Sequence, residues 1–203
     1  SGFLADASFG STSTYMPAGF GGLSGRALKA GDVLEPVGDP SFSDTHATPD
    51  TLRPVFTHNF ALRACPSAET DLLSPGSQAA LFGTTFTVGR QATRMGLSLE
   101  GHPLSLKTDG MMKSAPVFPG TVQCPASGIP IILLCDAQTT GGYPRIANIA
   151  RCDRHLLGQV RPGDTITLLE RSARDAQQDH QDKENLLNAW LDPERSKSVF
   201  RLA

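Results

Sequence analysis

Glycine and proline set the first limit on this chain: 20 glycines and 15 prolines punctuate 203 residues. Such spacing suits many short strands joined by turns and leaves little room for long helices. Alternating or β-branched runs predict strands near 52–57, 60–65, 84–88, 95–100, 117–124, 129–135, 146–150 and 164–170. A short helix is expected over 75–82, capped by Ser74, started by Pro75 and ended at Gly83. Asp153 could cap a single turn reaching Leu157 and closing at Gly158. The longest helix falls at 172–191, with Ser172 as its cap. Its first half is polar, whereas Leu186, Leu187, Trp190 and Leu191 recur at helical spacing in the second half. Those four are expected to dock on the body of the chain, with docking on a partner protein as the alternative.

Two loops and two turns organise the remainder. Residues 9–25 are rich in Gly and Ser but carry Tyr15, Phe20 and Leu23, which predicts a structured loop; residues 39–50 read as an exposed, irregular one. Lys29-Ala30-Gly31-Asp32-Val33-Leu34 and Arg161-Pro162-Gly163-Asp164-Thr165-Ile166 echo each other as tight turns feeding strands.

Composition removes several function classes. The net charge is −2 and no more than two Lys or Arg residues are adjacent, so no concentrated basic face for nucleic acid is present. The longest apolar run, Ile129 to Cys135, contains Pro130 and is too short to cross a bilayer. No secretory signal is evident, and a cytoplasmic location is expected. Cys65, Cys124, Cys135 and Cys152 fit no zinc spacing, and Cys124 and Cys135 are expected as buried free thiols. No phosphate-binding G-x-x-x-x-G-K-[ST] loop, H-E-x-x-H or G-x-S-x-G motif occurs; Gly96-Leu97-Ser98-Leu99-Glu100 fails the last at its final position. His46, His58, His102, His155 and His180 are scattered, and no metal site is expected. The acidic stretch from Asp175 to Glu184 reads as a solvated helix face.

The densest polar cluster is Asp136-Ala137-Gln138-Thr139-Thr140-Gly141-Gly142-Tyr143-Pro144-Arg145, directly after the most apolar strand. A buried strand that delivers a carboxylate, an amide, two hydroxyls and two glycines onto a turn can present a polar site. The same residues could equally form a hairpin corner whose side chains cap their own backbone.

Gly120-Thr121-Val122-Gln123-Cys124-Pro125, Gly128-Ile129-Pro130-Ile131 and the run from Asp136 to Ala147 resemble the signature of a known family. That family is the group of biotin-dependent carboxyltransferases and 5-oxoprolinase C subunits, also called allophanate hydrolase subunit 2. Arg94-Met95-Gly96-Leu97-Ser98-Leu99-Glu100-Gly101 and the Gly-rich entry (Ser11-x-Ser13-Thr14, Gly19-Phe20-Gly21-Gly22, Gly25-Arg26-Ala27-Leu28) follow its order too, so the likeness spans about residues 10–170. Residues 65–70 depart from its usual Gly-Pro-rich turn. The resemblance implies a mostly β fold of two cyclophilin-like β-barrel units side by side. The first would be incomplete for want of an N-terminal region, with a C-terminal helix at the other end. The corresponding divisions are 1–50 for the remainder of the first unit, 51–171 for the second, and 172–203 for the helix and tail.

The family acts on small amide- or urea-like substrates, which implies a subunit of an ATP-dependent complex that is inactive alone. The expected activity is 5-oxoprolinase or a carboxyltransferase of the urea carboxylase or allophanate type. A non-catalytic module that antagonises a histidine-kinase inhibitor is the alternative. The expected partner is a B-type subunit resembling allophanate hydrolase subunit 1, which could itself hold the ATP. Carboxybiotin would enter only in the urea case, and Met112-Lys113 lacks the Ala-Met-Lys-Met setting of covalent biotin. For such chemistry Asp136 and Glu100 are the candidate catalytic carboxylates. Gln123, Gln138, Thr139, Thr140, Gly141 and Gly142 are candidates for amide and oxyanion contacts, and Arg94 and Arg145 for a carboxylate or bicarbonate. A structural salt bridge between Glu100 and Arg94 is the competing assignment for those two residues.

Overall fold

The computed structural model describes residues 3–38 and 48–191, which fall into two compact units, Ser1–Pro54 and Val55–Ala203. Most of the loop expected at 39–50, and the tail after residue 191, lie outside the described residues.

In the second unit seven strands close a barrel in the order β1-β8-β5-β6-β3-β2-β9. They are β1 (Asn59–Pro66), β2 (Thr85–Val88), β3 (Gly96–Glu100), β5 (Thr121–Gln123), β6 (Ile131–Leu133), β8 (Arg145–Ile149) and β9 (Thr165–Glu170). Closure comes from a parallel pairing of β1 with β9, running from Asn59↔Thr165 to Ala64↔Glu170. A separate two-stranded ribbon joins β4 (Ala115–Pro116) to β7 (Thr140–Gly141). The alternation that predicts strands also supplies the core, because every second residue of a strand faces inward. Phe60, Leu62 and Ala64 of β1 meet Phe86 and Val88 of β2, Leu97 and Leu99 of β3, and Ile166 and Leu168 of β9 inside the barrel. Each fully buried side chain of this size contributes about 1.5–3 kcal/mol through removal from water. Helix α1 (Pro75–Gly83) is capped at Ser74, whose Oγ accepts from the Ser77 amide at 3.3 Å, and it adds Leu81 to the same core.

Three expectations need correction. No strand forms over 52–57: a 3-10 turn occupies Asp50–Leu52, Pro54 has no amide hydrogen, and Val55 stays 86% exposed without a partner strand. Asp153 caps nothing, because it lies inside a 3-10 helix, Arg151–Gly158, whose cap position is Ala150. Its buried carboxylate instead accepts from Arg63 at the backbone amide (2.9 Å), Nε (2.9 Å) and Nη2 (2.6 Å). Helix α2 (Ala173–Leu191) starts at Ser172 as expected, with the Asp175 amide donating to Ser172 Oγ at 3.1 Å, but it docks through its polar half. Ala176 is buried, Asp179 meets Arg63 and Arg171, and Lys183 Nζ donates to the Cys152 carbonyl at 2.7 Å. Of the four residues expected to dock, Leu186 and Leu191 remain exposed, whereas Leu187 and Trp190 are half-buried.

The first unit shows isolated bridges and no ladder strand among its described residues: Phe3↔Pro36, Asp6↔Gly22, Ser8↔Ser11 and Tyr15↔Phe20. The strand expected after Gly31-Asp32 is therefore absent; Pro36 follows too soon and offers no amide to extend the pairing. The 9–25 loop is nonetheless ordered by its own contacts, with the Tyr15 and Phe20 rings 5.5 Å apart. The two echoed turns share one chemistry. Asp32 Oδ2 accepts from the Lys29 amide at 2.7 Å and Asp164 Oδ2 from the Arg161 amide at 2.8 Å. Gly31 and Gly163 take the left-handed conformation in matching positions, with φ of 93° and 89°.

Candidate functional site

The outer face of the barrel becomes concave where small residues meet large ones. Leu97 and Leu99 point inward, so the pleat turns Gly96 and Ser98 outward on β3. They pair with Leu133 and Ile131 of β6, and a Cβ at Gly96 would stand only 3.1 Å from Ile131 Cγ2. The result is an open pocket of about 280 Å³. Its walls come from β3, β5 and β6, from Gln91, Thr93 and Met95 in the preceding loop, and from Gln138 and Tyr143 in the polar turn.

Gln123 enters this pocket at a bulge. The pairing of β5 with β8 slips between Val122↔Ala147 and Gln123↔Arg145, so Ile146 is left over, and its carbonyl accepts from Thr70 Oγ1 at 2.6 Å. Bulges of this kind re-aim a side chain next to a site. Gln123 is only 2% exposed, yet its carboxamide is engaged at both ends: Oε1 accepts from Gln138 Nε2 at 3.2 Å, and Nε2 donates to the Tyr143 carbonyl at 3.4 Å. Gly141 makes this possible, because a Cβ there would lie 2.5 Å from Gln123 Nε2. The turn itself is held by backbone bonds from the Val117 amide to Thr139 O (2.9 Å) and from the Met112 amide to Gly142 O (2.7 Å).

Two ion pairs frame the turn. At its start Arg94 Nε and Nη2 donate to the two oxygens of Asp136, at 2.5 and 3.1 Å. Arg94 is 68% exposed, and its hydrogen bonds hold the Asp136 carboxyl below the usual carboxylate range. At the end of the turn Arg145 donates through Nε and Nη2 to Glu69 and through Nη1 to the Pro116 carbonyl. This pair is more enclosed, and the hydrogen bonds from Arg145 lower the Glu69 pKa.

The structure thus brings Gln123 and Gln138 together in the pocket and sets Arg94 and Asp136 beside it, next in sequence to the lining residues Thr93 and Met95 and to the turn. Thr139 and Thr140 lie exposed on the turn, and Gly141 and Gly142 back it. Arg145 is turned to Glu69 rather than to the pocket. Glu100, exposed at the end of β3, is not among the lining residues and forms no salt bridge with Arg94, which takes Asp136 instead. Cys135 is exposed, not buried: it stands past the end of β6, where Arg94 Nη2 approaches its sulfur at 3.6 Å. Ser98, Thr93 and Gln91 line the pocket without having been expected there. Ser98 is legible from the strand alternation; the other two sit in a loop whose path the sequence does not specify. No group of three or more His, Cys, Asp or Glu side chains among the described residues could hold a metal ion.

Comparison with known proteins places the chain in a family. The chain is 41% identical over 166 residues to the C subunit of 5-oxoprolinase from Haemophilus influenzae, covering 81% of this chain and 52% of that protein. It is 38% identical over 183 residues to the C subunit of 5-oxoprolinase from Escherichia coli, covering 89% and 58%. The chain therefore spans little more than half the length of these relatives. The Kluyveromyces lactis urea carboxylase structure superposes with a TM-score of 0.76 over 92% of this chain and 18% of its own, at 23% identity, a likeness of fold. The structure of TTHA0988 matches at 35% identity with a TM-score of 0.57, covering 70% of this chain and 27% of that one. The model of the carboxyltransferase domain, subdomains A and B, matches residues 1–170, and the chain belongs to that family.

Proposed function

We propose that this chain is part of the C subunit of an ATP-dependent 5-oxoprolinase, and that the Gln123–Gln138 pocket holds the cyclic amide while it is opened to glutamate. The observation that carries this reading is the carboxamide pair inside an open pocket, next to the Arg94–Asp136 ion pair. A cyclic amide presents its N–H and C=O on the same side. A glutamine side chain offers the complementary acceptor and donor, so one carboxamide can hold both groups at once. Gln138 uses Nε2 on Gln123 and keeps Oε1 for a substrate N–H; Ser98 and Thr93 add hydroxyls on the opposite wall.

Opening an amide needs donors where negative charge develops on its oxygen and a group that manages the proton of its nitrogen. The hydroxyls of Thr139 and Thr140 and the backbone of Gly141 and Gly142 are assigned to the first task. Asp136, held ionised by Arg94, is assigned to the second. Arg94 carries five donors and spends three on Asp136 and Cys135, so it can also receive a substrate carboxylate. Glu100 and Arg145 are left with supporting roles in this scheme.

ATP is assigned to a partner subunit of the B type or to a site completed by it, which makes the chain inactive alone. The setting is cytoplasmic, and no helix among the described residues is long and apolar enough to cross a membrane. The 5-oxoprolinase reading is preferred to urea chemistry because the relatives of that name are 41% and 38% identical, against 29% for a putative urea carboxylase of Emericella nidulans. The test is reconstitution of the complete protein with its partner subunits, following glutamate release from 5-oxoproline with ATP present or withheld. ATP-dependent release that falls with Gln138→Ala supports the assignment. Release by this chain alone, or full activity in that variant, removes it.

A further inference from the structure

We propose that the second unit carries a separate binding site for a small oxyanion, a carboxylate or a phosphate, in the cavity between the outer face of β8, the 3-10 helix Arg151–Gly158 and helix α2. This cavity has a volume of about 330 Å³ and shares no lining residue with the Gln123–Gln138 pocket. Such a volume lies at the small end of ligand pockets, which suits a compact metabolite.

The polar part of the lining is cationic and carries no counter-charge, set among apolar walls from Phe118, Ile149, Ala150, Ala173 and Ala176. Arg151 and Arg154 enter from the 3-10 helix, His180 and Gln177 from α2, and Asn148 from β8, and no Asp or Glu lines the cavity. Among the described residues neither arginine has a carboxylate within salt-bridge distance, although Arg26, Arg53, Arg63, Arg94, Arg145 and Arg171 all do. Arg154 is held rigidly: its Nε donates to the Ile149 carbonyl at 3.3 Å and its guanidinium lies 5.2 Å from the centroid of the Phe118 ring. That leaves the edge bearing Nη1 and Nη2 for a ligand, and such an edge makes two parallel hydrogen bonds to a carboxylate or phosphate. Burial, and then the nearby charge of Arg151, lower the Arg154 pKa, so two like charges converge in a partly dry site. The His180 Nδ1 is buried with no hydrogen-bond partner. An oxyanion would relieve the repulsion and take up donors from Asn148 and Gln177.

The test uses the full chain, with thermal unfolding measured in phosphate, in malonate and in chloride at equal ionic strength. Phosphate or malonate should raise the midpoint above chloride, in the manner of a ligand that binds the native state alone. Whichever anion acts identifies the source. Arg154→Gln should weaken the effect at least tenfold in midpoint concentration. Because Arg154 packs on Phe118 and that variant could misfold, Arg151→Gln at an exposed position is the second probe, expected to weaken it at least threefold. Arg161→Gln, on the remote turn before β9, should leave it unchanged. Equal midpoints in all three salts, or an effect that survives in a folded Arg151→Gln variant and in Arg161→Gln alike, overturns the proposal.

Discussion

Gln138 reaches back across the polar turn to donate its Nε2 hydrogen to Oε1 of Gln123, 3.2 Å away, and so joins the exposed turn to a side chain that is otherwise almost wholly buried. Removing the outer partner leaves the inner one without its donor. Gln138→Ala is expected to lower kcat/KM of the reconstituted complex by about 10–100-fold, since each tenfold corresponds to about 1.4 kcal/mol of lost transition-state binding. Its stability should fall by about 1–3 kcal/mol, because the buried Gln123 Oε1 is left without its donor. Urea unfolding alongside steady-state kinetics separates the two effects.

Gly141 is the position in the turn where a side chain would collide with the carboxamide pair. A methyl group there would meet Gln123 Nε2 and displace the carboxamide, whereas Gly76 in α1 has nothing within 4 Å of its would-be Cβ. Gly141→Ala should therefore lose most activity in the reconstituted complex. Gly76→Ala should keep activity and gain about 0.4–1 kcal/mol of stability from the reduced freedom of the unfolded chain. Equal activity in both variants would show that the close approach is unimportant.

Arg145 and Glu69 form a clamp that ties β8 to the segment before α1. Arg145→Met removes hydrogen bonds to a charged group and is expected to cost about 1–3 kcal/mol. Glu69→Gln should cost less, and a double-mutant cycle should return a coupling of at least about 0.5 kcal/mol. Purely additive effects would assign Arg145 elsewhere.

The docking of α2 should weaken in acid, in two stages. Burial, reinforced by Lys183, lowers the His155 pKa from its ordinary 6.5, and Lys183 Nζ meets His155 Nδ1 at 2.9 Å, a contact that needs the neutral ring. The folded state therefore binds the proton less readily than the unfolded chain, so this stabilisation is complete above pH 6.5 and declines as pH falls through the lower folded value. Asp153 follows: burial raises its pKa, but hydrogen bonds from Arg63 outweigh that and leave it below 3.8. Its contribution holds above 3.8 and disappears as pH falls further. Amide hydrogen exchange along residues 173–183, compared at about pH 7, 5.5 and 3 after correction for intrinsic rates, should show protection lost first at the step below the ordinary histidine value and again at the step below 3.8. His155→Gln should flatten that first step alone.

Much of the barrel is written locally. A two-residue alternation in β1, β2, β3 and β9 decides which side chains face inward, because a strand's pleat has no other period, and that puts Ser98 on the outside as surely as Leu97 inside. Likewise the Gly-Asp turns at Gly31-Asp32 and Gly163-Asp164 are dictated within four residues, since the bonds that close them are local. The run from Asp136 to Arg145 is equally legible as a polar turn. What the sequence could not decide is the partner of each charge. Arg94 was open to Glu100 and took Asp136, Arg145 was open to a ligand and took Glu69, and Asp153 was open to its own backbone and took Arg63. Those choices depend on which strands lie side by side. The barrel sets that by closing β1 against β9 and by slipping β8 one residue past β5. Long-range pairing, not local preference, therefore turned a recognisable motif into a pocket.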